Sequence, residues 1–180
     1  MTANSKEKTS TGKIETYLSF RLGEEEFAAN VHKVLNILEM TPITKIPRSP
    51  EYMRGVINLR GSVLPVIDLR IKFGMEPTQT TIDTCIVVLN IEMNEDNITL
   101  GVLVDAVKEV LEIEEDKIEP APNIGTKYRA EFIKGMWKKE ESFIMLLNID
   151  TVFSSDELVM VQETDKPEAE EIEEAIEKNE

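Results

Sequence analysis

The stretch MRGVINLRGSVLPVIDLR, residues 53–70, carries the clearest fold signal in the sequence. Two apolar runs, residues 56–59 and residues 63–67, flank the dipeptide Arg60-Gly61. Short apolar runs on either side of a glycine are typical of two paired strands, because glycine supplies the backbone freedom that a tight turn needs. The stretch therefore predicts a β-hairpin with Arg60 at its tip.

The residues around this hairpin predict where neighbouring elements begin and end. The Ser-Pro pair that ends at Pro50 is typical of a helix start, which predicts a short helix over residues 51–54. Pro65 cannot donate a hydrogen bond to a neighbouring strand, so we expect its strand to be an edge strand or a bulged one. Asp68 is expected to cap a short helical turn, which Gly74 would end.

The remaining apolar runs are short and bounded by polar turns, as strands usually are. Residues 31–37 fit either a helical turn or a half-buried strand, because periodicity does not decide at this length. Residues 148–153 are expected to begin a short helix. We therefore expect an all-β chain with short helices, whose other strands lie near residues 17–22, 26–31, 85–89, 98–104 and 143–147.

An internal repeat relates the two halves of the chain. The pattern V-x-x-V-L-x-I at residues 31–37 recurs at residues 107–113, and Arg54-Gly55 recurs as Lys134-Gly135. Repeated supersecondary units indicate two similar small β-barrels side by side. Chance similarity between valine-rich strands is the alternative. The expected barrels span roughly residues 14–75 and 82–160.

The charge of the chain is strongly acidic, with a formal net charge of −15 over 180 residues. Residues 163–180 contain nine acids and two bases, a net charge of −7, and form an acidic tail after a folded part that spans residues 14–162. Residues 1–13 are polar and are expected to be disordered. This charge disfavours binding to nucleic acids or anionic membranes. The tail is expected to be solvated, and docking as a helix is the alternative.

The sequence offers little chemistry for catalysis. His32 and Cys85 are each the sole residue of their type, so neither an intramolecular disulfide nor a Cys/His metal site can form. Phosphate-binding glycine loops and the nucleophile elbow are absent. Asp68 and Asp105 could pair as catalytic carboxylates, but a helix cap and a turn explain them more simply. We expect no enzymatic activity, no cofactor and no metal.

Two observations favour the cytoplasm. The first 13 residues lack the apolar stretch of a secretory signal. No window approaches the roughly 20 apolar residues that a membrane helix needs.

The run N-L-R-G…P-V-I-D-L-R, within residues 58–70, resembles the signature of the CheW family. The surrounding sequence is similar to the family over residues 14–160 in a single order. The resemblance implies a fold of two packed SH3-like five-stranded barrels. It also implies a chemotaxis adaptor that bridges the cytoplasmic tips of methyl-accepting chemoreceptors and the regulatory domain of the histidine kinase CheA, in arrays beneath the inner membrane. The alternative is a CheW-like adaptor of a non-flagellar pathway, such as surface motility or second-messenger signalling.

The resemblance also implies two sets of partner-binding residues. By position, Val34, Ile86, Val107 and Val110 match the family's receptor-binding groove, which would be apolar and lie between the barrels. For each of these four residues, a place in the hydrophobic core is the alternative.

A second set, formed by Arg54, Gly55 and Arg60, matches positions linked to kinase coupling. Gly55 has the alternative role of a turn glycine, and Arg60 that of a solvated turn residue or a member of a local ion pair. Family members often carry an acidic partner for this arginine where Asn36 stands, and Asn36 can only hydrogen-bond. Glu39 is a possible substitute for that acid.

Overall fold

The structure, a computed structural model, describes residues 12–121 and 130–165. Ten strands dominate it, joined by tight turns and short helical segments, as the sequence predicts. The strands are β1 (Ile14–Leu22), β2 (Glu25–Asn30), β3 (Val34–Glu39), β4 (Met53–Leu59), β5 (Ser62–Asp68), β6 (Cys85–Met93), β7 (Asp96–Val104), β8 (Ala106–Glu114), β9 (Ile133–Lys139) and β10 (Ser142–Leu147). The α-helices are α1 (Leu69–Lys72), α2 (Ile149–Val152) and α3 (Ser155–Asp165), and the 3-10 turns are Val31–Lys33, Glu115–Lys117 and Ala130–Phe132.

The predicted hairpin is confirmed as β4 and β5. The strands pair up to Leu59 and Ser62, which leaves Arg60 and Gly61 as a two-residue turn. Arg60 has a φ of 53° and Gly61 a φ of 87°, the positive values that a type I′ hairpin turn requires. The Asn58 side chain accepts a hydrogen bond from the Gly61 N–H at 2.8 Å and stabilises the turn.

Two local predictions around the hairpin are wrong. Residues 51 and 52 form a turn, and Met53 already belongs to β4, so the helix over residues 51–54 does not form. Pro65 does not lie on an edge strand, because β5 runs between β4 and β7. The proline is accommodated because β5 pairs with β7 only from Val66 onwards. The pairing of β4 with β5 contains a bulge, but its extra residue is Arg54 of β4.

The caps predicted after β5 are confirmed. The Asp68 carboxylate accepts a hydrogen bond from the Arg70 N–H at the start of α1. Gly74, with a φ of 79°, follows the end of the helix.

The ten strands form two five-stranded curled sheets, the two SH3-like barrels. Barrel A contains β1, β2, β8, β9 and β10, in the spatial order β8-β1-β2-β10-β9. Barrel B contains β3 to β7, in the order β3-β6-β7-β5-β4. The barrels therefore do not divide at residues 75 and 82, and that predicted boundary is wrong. The chain crosses between them after β2 and again at Asp105, so each half lends its first hairpin to the other barrel.

The internal repeat is real at the level of structure. In the two spatial orders, β3, β4 and β5 take the places that β8, β9 and β10 take in the other barrel. A Cβ atom at Gly55 would lie 2.1 Å from the Thr44 carbonyl oxygen, and one at Gly135 would lie 2.8 Å from that of Glu119. In both barrels the glycine lets an approaching backbone segment form a bridge beside it, between Thr44 and Val56 or between Glu119 and Met136.

Three apolar clusters fill the molecule. The largest lies between the barrels and joins residues such as Leu18 and Phe20 of β1 with Leu89 of β6 and Leu100 of β7. The other two fill the interiors of barrel B and barrel A. The exchanged hairpins, β1–β2 and β6–β7, are apolar on both faces. Because side chains of a strand alternate between faces, one face of each hairpin lines a barrel interior and the other face lines the inter-barrel core.

Helix α3 closes the described part of the chain. Its Leu158 and Val161 are buried in the inter-barrel core. The helix continues to Asp165, so the acidic tail predicted from residue 163 begins inside it. The rest of the predicted tail and nearly all of the predicted disordered lead lie outside the described residues. Within residues 12–121 and 130–165, no helix is long and apolar enough to span a membrane.

Candidate partner-binding surfaces

Three of the four predicted receptor-binding residues, Val34 of β3 with Val107 and Val110 of β8, face the inter-barrel core, and we call them together the inter-barrel rim. Strand partners in a sheet point their side chains to the same face. The partners of Val34, Val107 and Val110 are, in that order, Leu89, Phe20 and Leu18, which all belong to the inter-barrel core. The rim therefore extends the inter-barrel core to the surface.

Val110 is the most accessible part of this rim. Its exposed fraction is 61%, whereas Val34 and Val107 are half-buried and pack against the core. A bulge at Lys108 and Glu109 keeps both β8 valines on one face. The buried Ser19 hydroxyl hydrogen-bonds to the Glu109 N–H and carbonyl at 3.1 Å and fixes this bulge.

Ile86 does not belong to this rim. Its side chain is fully buried, and its strand partners Leu38 and Leu103 belong to the interior cluster of barrel B. Because the side chain points away from the inter-barrel face, direct contact with a receptor is excluded. Ile86 therefore lies in the core, the alternative stated for it, and its receptor-binding role stays a prediction.

Strand β3 adds two exposed apolar residues that sequence reasoning missed. Leu35 is 56% exposed and Ile37 is 43% exposed. Leu35 is the extra residue of a bulge between Val34 and Asn36, and Ile37 lies on the face of Val34 because its partner Val87 also belongs to the inter-barrel core. Strict alternation from Val34 would have placed Ile37 on the opposite face, so the bulge hid it from the sequence pattern.

Arg60 stands alone at the tip of the β4–β5 hairpin. Within the two described ranges, its guanidinium makes no ion pair or side-chain hydrogen bond, and no contact joins it to Asn36 or Glu39. The Asn36 side chain instead accepts a hydrogen bond from the Ile37 N–H at 2.8 Å. A non-glycine residue at positive φ costs about 1–2 kcal/mol, so an arginine here works against the stability of the turn.

Arg54 has a folding role that the sequence did not reveal. Its guanidinium donates a hydrogen bond to the Asp68 carboxylate at 2.9 Å, and Asp68 is fully buried. The same carboxylate accepts hydrogen bonds from the N–H and hydroxyl of Thr78 at 2.9 and 2.7 Å. A buried carboxylate is tolerated only with such partners. The Arg54 side chain remains 29% exposed, so part of it stays accessible to a partner.

Gly55 is buried and has a structural role. Its φ is 143°, and the Thr44 backbone occupies the space where a side chain would begin. A partner therefore cannot contact Gly55 directly, and its role in kinase coupling stays a prediction.

Asp105 fixes the crossing of the two barrels. Its carboxylate accepts a hydrogen bond from the Gly23 N–H at 2.5 Å and pairs with the Arg70 guanidinium at 2.9 Å. Its own N–H donates to the Arg21 carbonyl at 2.9 Å. These contacts connect the β1–β2 hairpin, α1 and the β7–β8 junction. Asp105 therefore joins three elements at the crossing, which explains its carboxylate without catalysis.

Lys72 links helix α3 to both barrels. Its ammonium lies 2.5 Å from both carboxylate oxygens of Glu157. It also lies 5.5, 5.6 and 5.9 Å from the ring centroids of Tyr52, Phe132 and Phe153. Burial, with the negative charge of Glu157, raises the pKa of Tyr52 above its usual value of 10.0. Among the described residues, no group of three or more His, Cys, Asp or Glu side chains could hold a metal ion.

Comparison with known proteins identifies the family. The model of the CheW-like domain matches residues 16–157. The "Probable chemotaxis protein CheW" of Rhizobium etli is 38% identical over 140 residues, which cover 78% of this chain and 88% of that protein. The "Chemotaxis protein CheW" of Rhizobium meliloti is 36% identical over 157 residues, which cover 87% and 97%. The crystal structure of the scaffolding protein TtCheW from Thermoanaerobacter tengcongensis is 33% identical, with a TM-score of 0.71 over 80% of this chain and 90% of that one. The chain therefore belongs to the CheW family of non-catalytic chemotaxis scaffold proteins.

Proposed function

We propose that this scaffold couples methyl-accepting chemoreceptors to the histidine kinase CheA. A scaffold needs two separate binding surfaces on one rigid body. The observation that carries the proposal is the pair of exposed features described above: the apolar inter-barrel rim and the hairpin tip of barrel B. Neither surface has a partner within the described residues, and the barrels that carry them share one core.

The inter-barrel rim suits the receptor tip. Its residues are Val34, Val107 and Val110, with Leu35 beside them, and they present apolar surface at the edge of a packed core. An amphipathic helix binds in such a groove through residues on one of its faces. Val110 is the most exposed of the set and is the expected hot spot.

The β4–β5 hairpin suits the regulatory domain of CheA. Arg60 is exposed, unpaired and held at a positive φ. Arginine is among the residues that contribute most to protein interfaces. Arg54 supports the hairpin through buried Asp68 and offers the accessible part of its guanidinium.

The proposal is tested with purified chain, CheA and a soluble receptor-tip fragment, with binding and CheA autophosphorylation measured together. We expect Val110→Glu to weaken receptor binding about tenfold or more while CheA binding is retained. We expect Arg60→Ala to weaken CheA binding about tenfold while receptor binding is retained.

Two matched variants control for general effects. Val159→Glu places the same change at a 41% exposed valine of α3. Glu140→Ala changes the hairpin tip of barrel A, where φ is 55°. Both controls should bind both partners normally. Loss of both partners in either test variant, or loss of neither, would contradict the two-surface assignment.

The same residues would serve an adaptor of surface motility or second-messenger signalling. The curated relatives are named for chemotaxis, which favours the chemotaxis kinase. Binding of a receptor tip without any effect on CheA autophosphorylation would favour the alternative pathway.

A further inference from the structure

A basic region interrupts this acidic chain. Residues 40–54 contain three bases, Lys45, Arg48 and Arg54, and one acid, Glu51, a net charge of +2 in a chain of −15. This segment connects β3 to β4 on the outside of barrel B. Lys45 and Arg48 are exposed and make no ion pair with any residue that the structure describes. Because Arg54 is paired with Asp68, the uncompensated positive charge of this segment lies at Lys45 and Arg48.

The same segment forms a surface pocket of about 550 Å³, which we call the basic pocket. Apolar side chains contribute much of its lining, and two cations complete it. A second hollow of about 430 Å³ shares both cations. The basic pocket is lined by Met40, Thr41, Pro42, Ile43, Lys45, Arg54 and Thr80. Apolar lining beside cations matches a ligand that carries apolar side chains next to carboxylates.

The chain itself contains a segment of this chemistry. Residues 166–180, which follow α3, contain seven acids and two bases, a net charge of −5. Ala169, Ile172 and Ile176 recur within them at a spacing of three and four residues, which would group them on one face of a helix. The segment therefore offers carboxylates next to an apolar stripe.

The helix that precedes the segment packs near the start of β4. The Lys72 ammonium contacts Glu157 of α3 and lies over the ring of Tyr52, two residues before Arg54. A segment of 15 residues reaches up to about 50 Å when extended. A tethered segment of this length is present at roughly millimolar effective concentration, so even weak contacts populate the docked state.

We propose that residues 166–180 dock in cis on the basic pocket, with isoleucine side chains in its apolar part and glutamates against Lys45 and Arg48. The docked segment covers the exposed part of Arg54. Resting on the proposed function, this contact shields one edge of the CheA-binding hairpin until the kinase displaces it. The acidic segment is thus an internal competitor of the kinase.

The test uses the full chain alone, so its outcome does not depend on whether CheA binds. A zero-length carbodiimide cross-linker joins a lysine to a carboxylate in direct contact, and mass spectrometry locates the link. We expect Lys45 to carry at least about five times more links to residues 166–180 than Lys108, given the high effective concentration of a docked tether. Lys108 is exposed and unpaired within the described part of barrel A and is the matched control. The linked protein should have the mass of a monomer. The number of links should fall at high salt, because the Debye length is about 3 Å at 1 M and the contact is then screened.

A second measurement covers the apolar half of the contact. Deleting residues 166–180 should shift the methyl resonances of Ile43, in the pocket, and leave those of Ile144, in the core of barrel A, unchanged. Arg48→Ala should lower the Lys45 links several-fold. Equal linking of Lys45 and Lys108 with unshifted Ile43 resonances would overturn the proposal. Links found only in cross-linked dimers would also overturn it, because they would assign the pocket to a second copy of the chain.

Discussion

Replacing Gly55 by alanine separates a structural role of this glycine from a role in partner binding. The added Cβ atom would lie 2.1 Å from the Thr44 carbonyl oxygen and 2.7 Å from the Thr44 carbonyl carbon. Both atoms belong to the backbone, so no flexible side chain can move aside. The Thr44 segment must therefore move away from β4.

The cost has two parts. An alanine at a φ of 143° is strained by about 1–3 kcal/mol. Displacing Thr44 also breaks its two hydrogen bonds with Val56, at 2.9 and 2.8 Å, each contributing about 0.5–1.5 kcal/mol. We expect a loss of roughly 4 kcal/mol in the free energy of unfolding, a large part of the roughly 5–15 kcal/mol typical of a domain.

Urea unfolding of the Gly55→Ala variant measures this loss, with Gly61→Ala as the matched control. Gly61 also has a positive φ, but a Cβ atom there meets nothing within 4 Å. The control should therefore lose only about 1–2 kcal/mol, the cost of the backbone conformation alone. Equal losses in the two variants would refute the reasoning from the Thr44 contact. Unchanged stability of Gly55→Ala with reduced CheA binding would restore the partner-contact role.

Two further predictions concern charged contacts. Lys72→Met should lower the free energy of unfolding by about 2–4 kcal/mol, because it leaves the largely buried Glu157 carboxylate without its cation. Adding Glu157→Gln should recover part of this loss in urea titrations. Additive losses from the two substitutions would contradict the contact. Burial raises the pKa of Glu15, but Lys134, together with Tyr17 and Lys13, outweighs burial and holds this pKa below its usual value of 4.5. The resulting stabilisation is present above pH 4.5 and is lost as pH falls through the lower folded-state pKa. The urea midpoint should therefore fall more between about pH 6 and about pH 3 in the wild type than in Lys134→Met. Equal falls in the two proteins would argue against the Glu15–Lys134 pair.

The element types followed from the sequence because local rules decided them. The Arg60-Gly61 turn, the Asp68 cap and the short apolar runs each depend on neighbouring residues. The predicted helix over residues 51–54 does not form because pairing with a distant strand overrides a local signal. Its cap signal was local, but Met53 is drawn into β4 by pairing with Ile67 of β5.

The partners of each strand did not follow from the sequence. The repeat at residues 31–37 and 107–113 identified equivalent segments, and these are indeed β3 and β8 with their turns. A repeat cannot say which hairpin completes which barrel, because β1–β2 and β6–β7 are equivalent and would fit either. The exchange depends on two short crossings, at residues 31–33 and at Asp105, whose direction no composition rule encodes.

The candidate site residues came from the family resemblance, and the strand pattern bears on them only where one face of a strand is polar. In β8, the polar residues around Val110 fit the exposure of this valine. In β6, Ile86 and Val87 are both apolar because one faces the barrel interior and the other the inter-barrel core. Period-two alternation is lost in such a strand, so sequence alone could not tell that Ile86 points inward. The pairing of Arg54 with Asp68 was hidden because the two residues are 14 positions apart across a bulged hairpin.

The exchange of hairpins has a consequence for a scaffold. If each barrel were built from one half of the chain, a single linker would join them and their relative orientation could vary. Here two crossings and one shared apolar core hold the barrels together, and Asp105 ties one crossing to α1 through Arg70. The inter-barrel rim and the Arg60 hairpin are therefore joined through one packed core. In the function proposed above, a displacement at one of these surfaces reaches the other through these packed contacts.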